Sequence, residues 1–229
     1  MNGLLLIDKP TGWTSFDVVA KIRGTLSAAA SQKVKVGHGG TLDPLASGLL
    51  LVLVGSATKQ AEQLLKLDKT YEFSLKLGFT TATGDAEGEE QPVPKAAEPT
   101  QAKLQAITRR FVGESLQTPH PYSALKIGGQ RAYNLARVGR PLALEPRPIV
   151  VHSLDLINYE YPAASFVTKV SSGTYIRSLG EDIGKALNAG AYLTALRRTS
   201  IDKYQVREAI KPDASADELG QALITIANL

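Results

Sequence analysis

The order of apolar and polar positions breaks this chain into short runs of two kinds. Residues 3–7 and 49–54 are continuous aliphatic stretches bounded by Gly, Pro and Ser, as expected of buried strands. Residues 70–78 instead alternate Tyr71, Phe73, Leu75 and Leu77 with Glu72, Ser74 and Lys76, which predicts a half-buried strand. Further strands are predicted over 149–157 and 165–170, with a last core strand over 191–196 that Arg197 and Arg198 follow. Helical spacing occurs at Phe16, Val19 and Ile22 behind a cap at Ser15. It recurs at Ile176, Leu179, Ile183 and Leu187, in a helix opened by Gly173 or Thr174. Helices are also expected from residue 57 behind Ser56, from Thr100 to about residue 110, and over 213–229. Residues 28–32 read as a loop, and the Gly-, Pro-, Ala- and Glu-rich 84–99 as an exposed, mobile connection. Strands and helices do not alternate regularly. The pattern therefore predicts an α+β fold with a mixed, largely antiparallel sheet and flanking helices.

One stretch organises the rest. Residues 37–59, GHGGTLDPLASGLLLVLVGSATK, run from a glycine-rich loop through a lone carboxylate into the second aliphatic run. Asp43 precedes Pro44, and a residue before proline is pushed out of the helical region. A carboxylate so placed is presented from the edge of a rigid sheet, where a functional site finds support. An ordinary turn whose Asp satisfies nearby amides fits the same local pattern.

Composition narrows the chemistry. The chain has 229 residues with 43% hydrophobic and 21% charged, the profile of an ordinary globular protein. Its net charge of +4 permits a polyanionic partner without demanding one. There is no cysteine, so disulfides, thiol nucleophiles and zinc–thiolate sites are excluded. The three histidines, His38, His120 and His152, are too widely spaced for a local metal motif. No apolar stretch approaches a membrane span and the N-terminus is not a signal peptide, so a cytoplasmic protein is expected. Residues 118–148 hold five prolines and three glycines, with Lys126, Arg131, Arg137, Arg140 and Arg147 interleaved with Tyr122 and Tyr133. That composition suits an insertion that grips a nucleic-acid backbone and stacks on bases. A solvated surface excursion has the same charge spacing. Arg177 falls in the first turn of its predicted helix, where the dipole disfavours a cation by roughly 0.3–1 kcal/mol. It makes sense there if it faces an anion, be it a carboxylate or a phosphate; a side chain curling into solvent is the other option.

Six segments together carry a family resemblance. LLLIDKPTGWTS at 4–15, the 37–59 stretch, DKTYEFSLKLG at 68–78, PYSALK at 121–126, GTYIRSLGEDIG at 173–184 and LRRTS at 196–200 occur in family order. They resemble the TruB family of bacterial tRNA pseudouridine-55 synthases. The resemblance implies the pseudouridine synthase fold and the isomerisation of a uridine in the T-loop of tRNA, with the base flipped out of its stack. It implies Asp43 as nucleophile, Arg177 against that carboxylate, and Tyr71 stacked on the target base with its hydroxyl available to take a proton. His38 would fill the space the base leaves, Lys9 would support the active-site loop, and Asp85 matches a position near the site. With Lys126 and Arg131 of the basic insertion, these make up the expected substrate-binding set.

The reaction rearranges one glycosidic bond without redox change, so no cofactor and no metal is expected. The expected partner is the T-arm stem-loop of tRNA, with no membrane, and the protein is expected to be a monomer. The expected organisation is a catalytic domain over 1–210 with its insertion at about 118–148. A C-terminal helix over 211–229 would follow, with no separate PUA-type RNA-binding domain. Two departures stand out: Ala82 occupies a position where the family often has a second aspartate, and Gly39 one that often holds Thr or Ala. A tRNA-binding or folding chaperone of the same family, or a synthase for another RNA, are the alternatives. An intact Asp43, Tyr71 and Arg177 favours the enzyme, because binding alone needs no such carboxylate.

Overall fold

A computed structural model of the chain describes residues 1–123, 126–127, 130–131, 135 and 144–225. In chain order the first elements are β1 (Gly3–Lys9), α1 (Ser15–Ala29), β2 (Val36–His38), β3 (Ser47–Val54), α2 (Ala61–Leu65) and β4 (Lys69–Leu77). Next come β5 (Phe79–Thr80), β6 (Gln91–Pro92), α3 (Gln101–Thr108), β7 (Gly113–Gln117), β8 (Lys126–Ile127) and β9 (Gln130–Arg131). The rest are β10 (Arg147–Glu160), β11 (Ala163–Val170), α4 (Ile176–Ala186), β12 (Ala191–Ile201), β13 (Tyr204–Gln205) and α5 (Ala216–Gln221). Among the described residues no helix is long and apolar enough to cross a membrane. Residues 1–71 with 197–229 form one compact unit and residues 72–196 another.

The first unit is built on β3. It pairs antiparallel with β1, Leu5 opposite Val52 and Leu6 opposite Leu51, and antiparallel with β2. At its start it pairs parallel with β12 at Arg197 and Arg198. Both faces of β3 are covered. Leu50, Val52 and Val54 pack with Leu5, Ile7 and the Val18, Val19, Ile22 and Leu26 face of α1. Leu49, Leu51 and Leu53 pack with Leu4, Leu6, Leu64, Ile201 and Tyr204 on the other side. A strand buried twice has no polar face to show, so its sequence is a continuous aliphatic run. Each fully buried aliphatic side chain there contributes about 1.5–3 kcal/mol.

Three expectations for this unit are corrected. The first helix is capped by Thr14, whose hydroxyl accepts from the Asp17 N–H at 3.1 Å while the Asp17 carboxylate accepts from the Thr14 N–H at 2.8 Å. Ser15 lies inside the helix, and Phe16 is 66% exposed while Val18 takes its expected place in the core. Ser56 caps no helix: a 3-10 turn spans Gly55–Gln60, and the Ser56 N–H donates to Asn2 Oδ1 at 2.8 Å. Of the expected terminal helix, the described residues form only the six of α5, and residues 226–229 lie outside them. The remaining chain is used to close the outer edge of β1, where Leu4 and Ile224 exchange hydrogen bonds at 2.8 and 2.9 Å and Ile210 bonds Leu6 and Asp8. An uncovered strand edge would leave backbone groups unpaired, and this segment satisfies them.

In the second unit the 191–196 part of β12, then β4, β11, β10 and β7 lie in that order. β10 is antiparallel to both β11 and β7, the latter a strand that the sequence pattern missed. Phe73 on the inward face of β4 stacks on Phe166 at 5.0 Å between centroids. Helix α4 lies tight against this layer because it is notched by glycine. A Cβ at Gly180 would come within 2.6 Å of Leu75 Cδ2, and one at Gly184 within 2.4 Å of the Ala191 backbone nitrogen. Residues 84–99 are not uniformly exposed: β6 pairs with β5, and Asp85 is buried and bridged to Leu193.

Candidate active site

Asp43 sits half-buried at the tip of the loop between β2 and β3. The backbone around it is held at several points. The Ser15 hydroxyl donates to the Leu42 carbonyl at 3.2 Å and accepts from its N–H at 2.9 Å. On one side Lys9, fully buried, donates its ammonium to the carbonyls of Trp13 at 2.6 Å, Pro10 at 3.0 Å and Pro44 at 3.5 Å. On the other side Arg198, 1% exposed, reaches the carbonyls of Leu49 at 2.7 Å, Thr41 at 3.3 Å and Gly40 at 3.5 Å. The Gly12 N–H bonds Pro44 O at 2.8 Å, and the Ala46 N–H closes a turn on Asp43 O at 3.1 Å. Gly48 permits this approach: its φ is +104°, and a Cβ there would strike the Arg198 carbonyl oxygen at 2.3 Å.

Two buried cations thus bracket one carboxylate-bearing loop. Burial pushes the Lys9 ammonium down to about 8, the charge of Asp43 opposes that shift, and Arg198 adds to it. His38 ends β2, and its Nδ1 accepts from the Gly40 N–H at 3.4 Å. Tyr71 is 7% exposed on the inward face of β4.

Arg177 is placed by α4 in the second unit and is 7% exposed. Its Nη1 lies 3.2 Å from Asp85 Oδ2 and donates to the Thr83 carbonyl at 3.1 Å, while Nη2 donates to the Tyr122 carbonyl at 2.9 Å. Asp85 is further fixed by the Thr83 hydroxyl at 2.6 Å and the Glu87 N–H at 3.1 Å. The planar fork is therefore held by a carboxylate and two carbonyls, a geometry that an ammonium cannot copy.

Of the expected residues, the first unit gathers Lys9, His38 and Asp43 on one loop system and carries Tyr71. The second brings Asp85 and Arg177 together. Lys126 and Arg131 are paired through their backbones, and their side chains lie outside the described residues. Tyr133, Arg137 and Arg140 also lie outside them. Sequence reasoning missed Ser15 and Arg198 as clamps of the Asp43 loop. The available signal was the period of β12, which places Arg198 on the same face as Leu196 and Ser200. Among the described residues no group of three or more His, Asp or Glu could hold a metal ion.

Fold and loop together define a class, the pseudouridine synthase fold in its α+β form. A chain from the crystal structure of a Cbf5–Nop10–Gar1 complex superposes with a TM-score of 0.70 at 31% identity, covering 91% of this chain and 52% of that one. A chain from an archaeal box H/ACA sRNP Nop10–Cbf5 complex gives 0.68 at 28% identity, covering 94% of this chain. This chain spans about half the length of those solved chains. Residues 28–176 match the family described as TruB family pseudouridylate synthase (N terminal domain). The tRNA pseudouridine synthase B of Chlorobium chlorochromatii is 44% identical over 94% of this chain and 85% of its own length. The Opitutus terrae protein of the same name is 42% identical over 93% and 87%, and that of Aquifex aeolicus 45% over 92% and 72%. The chain belongs to the TruB family of pseudouridylate synthases.

Proposed function

We propose that this protein isomerises uridine to pseudouridine in tRNA, at position 55 of the T-loop, with Asp43 as nucleophile. The observation that carries the reading is the Asp43 loop, whose backbone is fixed by Ser15, Lys9 and Arg198, in a chain whose named relatives are tRNA pseudouridine synthases. The carboxylate attacks C1′ of the flipped uridine and the N1–C1′ bond breaks. The detached base turns, C5 bonds to C1′ as the carboxylate leaves, and the C5 proton is replaced by one at N1. Tyr71 stacks on the base, and its hydroxyl takes part in that proton transfer. Arg177 supplies the cation that balances the charge of the nucleophile, and His38 occupies the space the base vacates. Extrusion of the base costs about a few kcal/mol, offset by such contacts.

The test is incubation with unmodified tRNA transcript followed by mapping of pseudouridine. Product at the T-loop uridine is expected, and the same transcript with Asp43→Asn should convert at least about a thousandfold more slowly with its RNA affinity kept. Folded protein that yields no product there, or an Asn variant close to parental rate, would remove the reading. A T-arm stem-loop converted as well as whole tRNA would locate the recognised portion of the substrate.

A further inference from the structure

We infer that His120 and Glu181 are a pair of positioning residues that hold the acceptors of Arg177 in place; the inference rests on Arg177 taking part in the reaction proposed above. His120 is 5% exposed. Its Nδ1 accepts the Tyr122 N–H at 3.2 Å, which leaves the ring proton on Nε2. Nε2 in turn lies 3.4 Å from Glu181 Oε1. The His120 and Tyr122 rings sit 5.8 Å apart, so the residue that offers its carbonyl to Arg177 is held through both its backbone and its side chain.

The same pair supports the other acceptors. Gly84 has φ of +71°, and a Cβ on it would lie 3.0 Å from Glu181 Oε1 and 3.1 Å from His120 Nε2. The pair therefore fills the space that a side chain on Gly84 would need, beside its α-carbon. The residues on either side of it are the ones that grip Arg177, Thr83 through its carbonyl and Asp85 through its carboxylate. Glu181 follows Arg177 by one turn of α4, so the helix that presents the guanidinium also anchors what surrounds it. Both sets of contacts on the guanidinium thus converge on one imidazole–carboxylate contact. A shift of about 1 Å in a positioned catalytic group can cost on the order of a hundredfold in rate.

The measurement is single-turnover conversion of tRNA transcript, with the dissociation constant and the thermal unfolding midpoint of each variant. His120→Leu removes both contacts and should slow conversion by about 10- to 100-fold with affinity changed less than about twofold. His120→Asn puts an amide oxygen near the place of Nδ1, and His120→Gln an amide nitrogen near that of Nε2, so each should recover part of the rate. Glu181→Leu should match His120→Leu, Glu181→Gln should stay near the parent, and the double Leu variant should be no slower than either single one. If His120→Leu does not fold, the Glu181 pair of variants decides alone. The inference is overturned if the Leu variants convert at the parental rate while Arg177→Ala is inactive. It is equally overturned if their losses follow the fraction of unfolded protein and neither amide restores them. Parental conversion by Arg177→Ala would instead remove the premise, and a T-loop left unmodified by the parent would remove the functional reading itself.

Discussion

Arg198 shows at the scale of one residue how the Asp43 loop is made rigid. Its guanidinium spans three carbonyls contributed by β3 and by the loop just before Asp43. Arg198→Lys keeps the charge but gives one compact head in place of a fork, so at least one buried carbonyl loses its partner. We expect a stability loss of about 1–3 kcal/mol by urea denaturation, the usual cost of an unsatisfied buried polar group. Conversion should fall more than RNA affinity, because what loosens is the mounting of Asp43, the proposed nucleophile. Equal stability in the Lys variant would show that the carbonyls are satisfied without the fork. Alternation from Leu196 pointed inward at Arg198, but a charged residue is almost never fully buried unless it is paired. The pairing here is with backbone atoms of residues over a hundred positions away, which no local pattern displays.

At the scale of elements, the glycines of α4 set how deeply Arg177 is seated. Gly184→Ala places a methyl against the Ala191 and Gly190 backbones, neither of which is a flexible side-chain end. Overpacking of this kind costs about 1–3 kcal/mol. Conversion should drop along with the unfolding midpoint as the helix is displaced. Gly24 in α1 is the counterpart: nothing lies within 4 Å of a Cβ there, so Gly24→Ala should stabilise by about 0.5–1 kcal/mol and leave turnover unchanged. Opposite signs for these two substitutions in thermal unfolding are the required outcome. Elements whose partners lie on one or both apolar faces were readable: β3 from its aliphatic run, β4 from its alternation, α4 from its stripe. β7 was missed because its side chains are largely exposed and its reason for being a strand is the backbone of β10.

At the scale of the whole molecule, global stability should respond to pH at both ends. Asp8 receives Arg197 at 3.1 Å and Lys211 at 2.8 Å, and although burial alone would raise its pKa, these partners hold it below the usual carboxylate value. A group depressed in the folded state stabilises above its unfolded pKa, and that contribution is lost as pH falls through the folded one. Asp8→Asn should therefore cost about 1 kcal/mol at neutral pH, a gap that closes in acid below about 3.8. Burial pushes Lys69 down from 10.5 to about 8, even as its ammonium bonds the carbonyls of Leu65 and Leu67. Between those two values the unfolded chain binds the extra proton, so stability rises with pH across that window. In Lys69→Met that rise should shrink by about 1–3 kcal/mol, read from denaturation at pH 7.5 and 10. An unchanged slope would mean that the lysine titrates as it does in water.

What the sequence determined by itself is whatever depends on neighbours along the chain: the strand and helix periods, the pre-proline setting of Asp43, and the motif order that marks the family. Tertiary structure alone decided which backbone groups found partners. That is why Thr14 rather than Ser15 caps α1, why Ser15 is spent on Leu42, and why the segment after α5 returns to the edge of β1 instead of continuing as a helix. It also decided that Asp85, in a stretch whose composition reads as loose, is buried against Arg177. The physical reason is common to all of these. Burial creates an obligation to satisfy each polar group, and the residue that meets it is chosen by proximity in space, which composition and period do not encode.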